Sequence, residues 1–101
     1  MVNEQRLYEI ISLIKKISQP DELYIFGSYA NGTQKENSDL DIAVIKENLD
    51  NKMEESFQIR KQLFSNYFPI DLTYIKKTDM ENKKNEFGTI YYEIATKGKK
   101  V

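Results

Sequence analysis

The stretch IFGSYANGTQKENSDLDIAVI, residues 25–45, sets a Gly27-Ser28 pair directly behind one apolar run and places Asp39 and Asp41 at the head of another. In an extended strand alternate side chains share a face, so Leu40, Ile42 and Val44 project one way and Asp39, Asp41 and Ala43 the other. The run before it, Glu22 to Phe26, is short, dense in aromatic and β-branched residues and closed by Gly27, which predicts a buried strand. Between the two strands, Ser28 to Ser38 is small and polar with Gly32 in its middle, a loop or a single helical turn.

Working outward, Leu7, Ile10, Ile11, Ile14 and Ile17 recur at spacings of three and four and predict a first helix of about 15 residues, with Asn3 as its N-cap. Pro20 disfavours helix at Gln19, so this helix should stop near Ser18. Downstream, Asp50 can cap a helix from Asn51 to Tyr67 carrying Met53, Phe57, Leu63, Phe64 and Tyr67, a stripe that Arg60 interrupts. After Pro69, IDLTYI repeats the unusual alternation: Ile70, Leu72 and Tyr74 against Asp71 and Thr73. Thr78 and Glu81 have capping-box spacing for a short helix. Phe87, Ile90, Tyr91 and Ile94 predict a last helix from Glu86 to Lys97 that stops at Gly98. The basic tail KGKK is read as a solvated end, and the Tyr91-Tyr92 pair as part core and part surface. Strands separated by helices predict an α/β (α+β) domain, a small mixed sheet flanked by helices.

The 101 residues suffice for one domain spanning 1–101. Hydrophobic residues at 40% and charged residues at 31% fit a folded globular chain. Fifteen basic and sixteen acidic residues give a net charge of −1, so nothing draws the chain as a whole toward nucleic acid. Cysteine and histidine are both absent, which excludes disulfides, thiolate nucleophiles and imidazole bases. Any metal must be held by oxygen, which favours hard ions such as Mg2+. No apolar run reaches the roughly 20 residues that span a bilayer, and MVNEQRLYEI lacks the form of a signal peptide. A cytoplasmic protein without membrane contact is expected.

An Asp-x-Asp pair alone is common, and a Gly-Ser turn is equally ordinary; a solvated strand end and a turn former explain either one. Their conjunction in this order, each at the end of an apolar strand, is much harder to explain that way. If the Asp39/Asp41 strand pairs with the Asp71 strand, three carboxylates meet at one end of the sheet, a repulsive arrangement unless cations fill it. Two metals about 3.5 to 4 Å apart, bridged by carboxylates, suit in-line phosphoryl or nucleotidyl transfer. Gly27 would allow close backbone approach, and N–H groups with the Ser28 hydroxyl could cradle phosphate oxygens. No Gly-Lys-Ser/Thr follows a glycine loop, GSYANG lacks dinucleotide-fold spacing, and Ser28 has no histidine to activate it as a nucleophile.

Gly27, Ser28, Gly32, Ser38, Asp39, Asp41 and Asp71 resemble the motif of the polymerase-beta-like nucleotidyltransferase superfamily, and more closely the minimal nucleotidyltransferase domain, over nearly the whole chain. The resemblance implies the nucleotidyltransferase fold. It further implies that Asp39 and Asp41 bind two Mg2+ ions, and that Asp71 binds the catalytic one and helps take the acceptor's proton. Gly27 and Ser28, with Ser38 nearby, would bind the nucleoside triphosphate, from which AMP passes to a hydroxyl with release of pyrophosphate. Domains of this minimal size are often antitoxins paired with a HEPN-type ribonuclease toxin, some of which they silence by adding AMP to a tyrosine. The chain departs from many relatives in carrying Tyr29 and Asn31 at positions where they have arginine, with Lys35 the nearby base that could compensate. Two functions therefore follow: an active adenylyl-transferring antitoxin, or a weakly active or inactive module that neutralises its partner by occlusion.

Overall fold

The computed structural model describes residues 4–35, 38–63 and 69–101. Its elements run α1 (Glu4–Ser18), β1 (Glu22–Phe26), α2 (Ser28–Asn31), β2 (Leu40–Lys46), α3 (Lys52–Leu63), β3 (Ile70–Lys76), α4 (Lys77–Lys83), α5 (Ile90–Lys97) and β4 (Lys99–Lys100). Strands lie in the order β3-β2-β1-β4. β1 is antiparallel to both β2 and β4, and β2 is parallel to β3. The sheet is thus mixed, the parallel pair arising because α3 carries the chain back across the sheet before β3 begins.

Alternation along the strands sorts the core into two layers. Leu23, Ile25, Leu40, Ile42, Val44 and Ile70 pack with Ile10 and Ile14 of α1 and Ile59 and Leu63 of α3. On the other face Phe26, Ala43, Ile45 and Ile75 pack with Met80 of α4 and Ile94 of α5. The central strand β2 is sealed on both sides, with Ile42, Ala43, Val44 and Ile45 all at 0% exposure. The apolar stripe of α1 forms as expected, and Gln19 leaves that helix at φ 49°, since the residue before a proline is pushed out of the right-handed helical region.

Several expectations are corrected. α3 buries Ile59 and Leu63, whereas Met53 and Phe57 stand 81% and 51% exposed. Arg60, which breaks the stripe, reaches across to donate from Nη1 to the Ile70 carbonyl at 3.1 Å. α3 starts at Lys52 after a turn in which Asn48 Oδ1 accepts from the Asp50 N–H. Thr78 does not cap α4, which begins one residue earlier; its hydroxyl donates instead to Glu47, across the sheet end. α5 starts at Ile90 with Thr89 as N-cap, its Oγ1 accepting from the Tyr92 N–H at 3.2 Å, so Phe87 lies outside the helix and is 87% exposed. Gly98 ends α5 as expected, its N–H donating to the Ile94 carbonyl. The tail is exposed but not free of structure: Lys99 and Lys100 pair with Ile25 and Tyr24 of β1. The expected Asn3 cap and the contributions of Phe64 and Tyr67 lie outside the described residues.

Candidate active site

Pairing places the acidic strand ends together. Asp41 of β2 lies in register with Asp71 of β3 on one side and with Phe26 of β1 on the other. Registered residues of neighbouring strands project to the same face, so both carboxylates stand on the α4/α5 face, at the end where β1 finishes and β2 and β3 begin. Asp39 joins from the coil just ahead of β2. Asp39 and Asp71 are exposed and Asp41 is half-buried.

Gly27 leaves β1 at φ 73° and ψ −147°, a conformation that side-chain-bearing residues rarely adopt. A Cβ on Gly27 would also collide with Oδ2 of Asp41. Glycine is needed twice over: to make the turn and to leave room for the carboxylate. Ser28 opens the single turn of α2, held by the Ala30 and Asn31 N–H groups donating to the Gly27 carbonyl at 3.1 Å each. Ser38 pins the loop ahead of Asp39, its Oγ accepting from the Lys35 N–H at 2.7 Å, which leaves its own hydroxyl proton free to donate.

The electrostatics follow from this crowding. Burial pushes the Asp41 carboxyl above its ordinary range, and the negative charges of Asp71, Asp39 and Glu93 push it further. Glu93, on α5, is a carboxylate that the sequence reading missed; no local signal marks it, because only the packing of α5 across the sheet brings it to Asp41. No salt bridge among the described residues involves Asp39, Asp41, Asp71 or Glu93. The all-oxygen donor set suits a hard divalent cation, although no three acidic side chains among the described residues are already drawn together closely enough to hold one.

A family model described as Polymerase beta, Nucleotidyltransferase matches residues 8–101. The chain belongs to the polymerase beta nucleotidyltransferase family. Three solved structures similar to this nucleotidyltransferase are described as toxin-antitoxin assemblies. One, the MntA-HpeT pair with two aspartates replaced by glutamate, is 27% identical with a TM-score of 0.63, covering 98% of this chain and 72% of its own. A second, a toxin-antitoxin with AMP-PNP, is 29% identical with a TM-score of 0.61, covering 92% and 69%. A third, the MntA-HpeT pair with a tyrosine-to-alanine substitution, is 26% identical with a TM-score of 0.58, covering 100% and 72%. The comparison with curated proteins finds no match. No described helix of the nucleotidyltransferase is long and apolar enough to cross a membrane.

Proposed function

We propose that this nucleotidyltransferase moves AMP from ATP to a tyrosine hydroxyl of a HEPN-type toxin partner, acting as the antitoxin of the pair. The observation that carries this reading is the registered Asp41–Asp71 pair, repulsive as it stands, seated on a glycine turn that has no room for a side chain. Similar structures described as toxin-antitoxin pairs, one of them with AMP-PNP, support both the partner class and the donor.

Gly27 and Ser28, with the Ser38 hydroxyl, would hold the phosphates of ATP beside the acidic edge. Asp71 would accept the proton of the attacking hydroxyl as the acceptor oxygen bonds to the α-phosphorus. The bond from that phosphorus to the bridging oxygen then breaks, and pyrophosphate leaves with the electron pair. Asp39, Asp41 and Asp71 would hold Mg2+, which when bound neutralises the carboxylates and stabilises charge on the transferring phosphate.

The test is incubation of the folded chain with α-labelled ATP, Mg2+ and the toxin partner. Label is expected on the partner, and Asp41→Asn or Asp71→Asn should lower transfer by about 10²- to 10³-fold or more. A partner left unlabelled by well-folded wild-type chain defeats the enzymatic reading. Neutralisation by occlusion is favoured by Tyr29 and Asn31 standing where many relatives have arginine. It predicts that exchanging Asp39 and Asp41 for asparagine leaves protection from the toxin intact.

A further inference from the structure

The sheet has two edges, and they are built differently. β4 is two residues long and both are lysine, a short charged edge of the kind that deters strand pairing. β3 is seven residues long, Ile70–Lys76, in unbroken register with β2 and uncharged from Leu72 to Ile75. Among the described residues no strand lies on its outer side. The Leu40 N–H donates to the Pro69 carbonyl, and in an extended strand a residue's N–H and C=O point to the same side. Asp71, Thr73 and Ile75 therefore turn theirs toward β2, and Leu72 and Tyr74 turn theirs outward. Arg60, which reaches the Ile70 carbonyl from outside the sheet, fits the same parity. Over this edge a groove of about 250 Å³ runs between α3 and β3, lined by Lys52, Met53, Ser56, Leu72 and Tyr74. Met53 and Phe57, one helical turn apart on α3, are 81% and 51% exposed.

Unpaired backbone groups along an uncharged strand are a template for another strand. The sequence of β3 fits a copy of itself. Its charges sit at opposite ends, Asp71 at the head and Lys76, followed by Lys77, at the tail, so antiparallel self-pairing sets each head beside the other's tail. Glu47, 3.8 Å from Lys76, offsets only one of the two lysines. An antiparallel register centred on Thr73 pairs the whole strand. It places Leu72 opposite Tyr74 of the second copy, twice by symmetry, and because these residues face their N–H and C=O outward, each pair exchanges two hydrogen bonds. We infer that β3 is a dimerisation edge, on which a second copy of this chain continues the sheet across a two-fold axis at Thr73, with Met53 and Phe57 of both α3 helices covering the join. The contact is closed, and it leaves the lysine-bearing β4 strands outermost on both sides.

Sedimentation of the full chain tests this. Wild type should dimerise, and Met53→Lys with Phe57→Lys, both at exposed positions, should raise the dimer dissociation constant by about tenfold or more while circular dichroism shows the fold retained. Because the chain has no cysteine, Thr73→Cys tests the register. Residues that meet at a non-hydrogen-bonded antiparallel position lie about 4.5 Å apart between Cα atoms, within the roughly 4.4 to 6.8 Å that a disulfide spans. Treated with oxidised glutathione, this variant should form a covalent dimer, whereas Tyr8→Cys, 70% exposed on α1, should not. Wild type that sediments as a monomer from micromolar to submillimolar concentration overturns the inference, as does a disulfide that forms as readily at position 8 as at 73. So does a photoreactive benzoylphenylalanine at position 57 that, with the proposed toxin partner present, crosslinks to the toxin and not to a second copy.

Discussion

The two ends of β2 make opposite use of charge. At the far end, Lys46 Nζ donates to the Ser18 carbonyl at 2.6 Å and to both Glu55 carboxylate oxygens at 3.2 Å. The two side chains of that pair are only 18% and 14% exposed. Ser18 is fully buried, and its hydroxyl shares a 2.9 Å hydrogen bond with Tyr74. At the near end Asp41 faces Asp71, Asp39 and Glu93, and no described salt bridge answers any of them. One strand therefore carries both a satisfied charge cluster and an unsatisfied one. Where charge serves only the fold, this chain neutralises it; the near end keeps its repulsion, as a site awaiting cationic company would.

The contrast is sharpest under substitution. Lys46→Met strands Glu55 and removes the donor to Ser18, so it should cost roughly 2 to 4 kcal/mol in urea unfolding. Adding Glu55→Leu should recover much of the loss, because the uncompensated charge is then gone. Gly27→Ala should cost about 1 to 3 kcal/mol, since alanine is strained at this backbone angle and its Cβ displaces the Asp41 carboxylate. AMP-PNP binding should fall with it.

Asp41→Asn should act in the other direction and stabilise the metal-free protein. The folded-state pKa of Asp41 is raised above its ordinary value of 3.8, so its favourable contribution is complete below that value and is lost as pH rises through the folded pKa. At neutral pH the variant should melt higher, by a margin that solvent screening of this half-exposed carboxyl keeps small. The gap should close as pH falls toward 3.8. A lower melting point for Asp41→Asn at neutral pH would break the comparison between the two ends.

Much of this arrangement is legible in the sequence. The bounds of β1 and the alternation that sets Asp41 and Asp71 opposite the apolar positions of their own strands are local, with a period of two. Gly27 too is legible, as a glycine closing an apolar run. The errors cluster where distant contacts override local pattern. Thr78 has the spacing of a capping box but is claimed by Glu47, 31 residues away. Phe87 continues the helical stripe of α5, yet the chain turns at Gly88, which sits at φ 87°, and Thr89 caps the helix after it. Lys99 and Lys100 look like a solvated tail because backbone pairing with β1 needs no side-chain signal.

Local chemistry alone determined that this chain would carry acidic residues at the heads of two buried strands, and a glycine turn at the tail of a third, because those features depend on alternation and backbone freedom within a few residues. Tertiary structure decided the rest. The parallel register seats Asp41 beside Asp71, and α5 brings Glu93 to the same edge. Phe87 is left bare ahead of α5. These are relations between segments far apart in the chain, fixed by how helices cover the two faces of a sheet, and no short-range pattern encodes them.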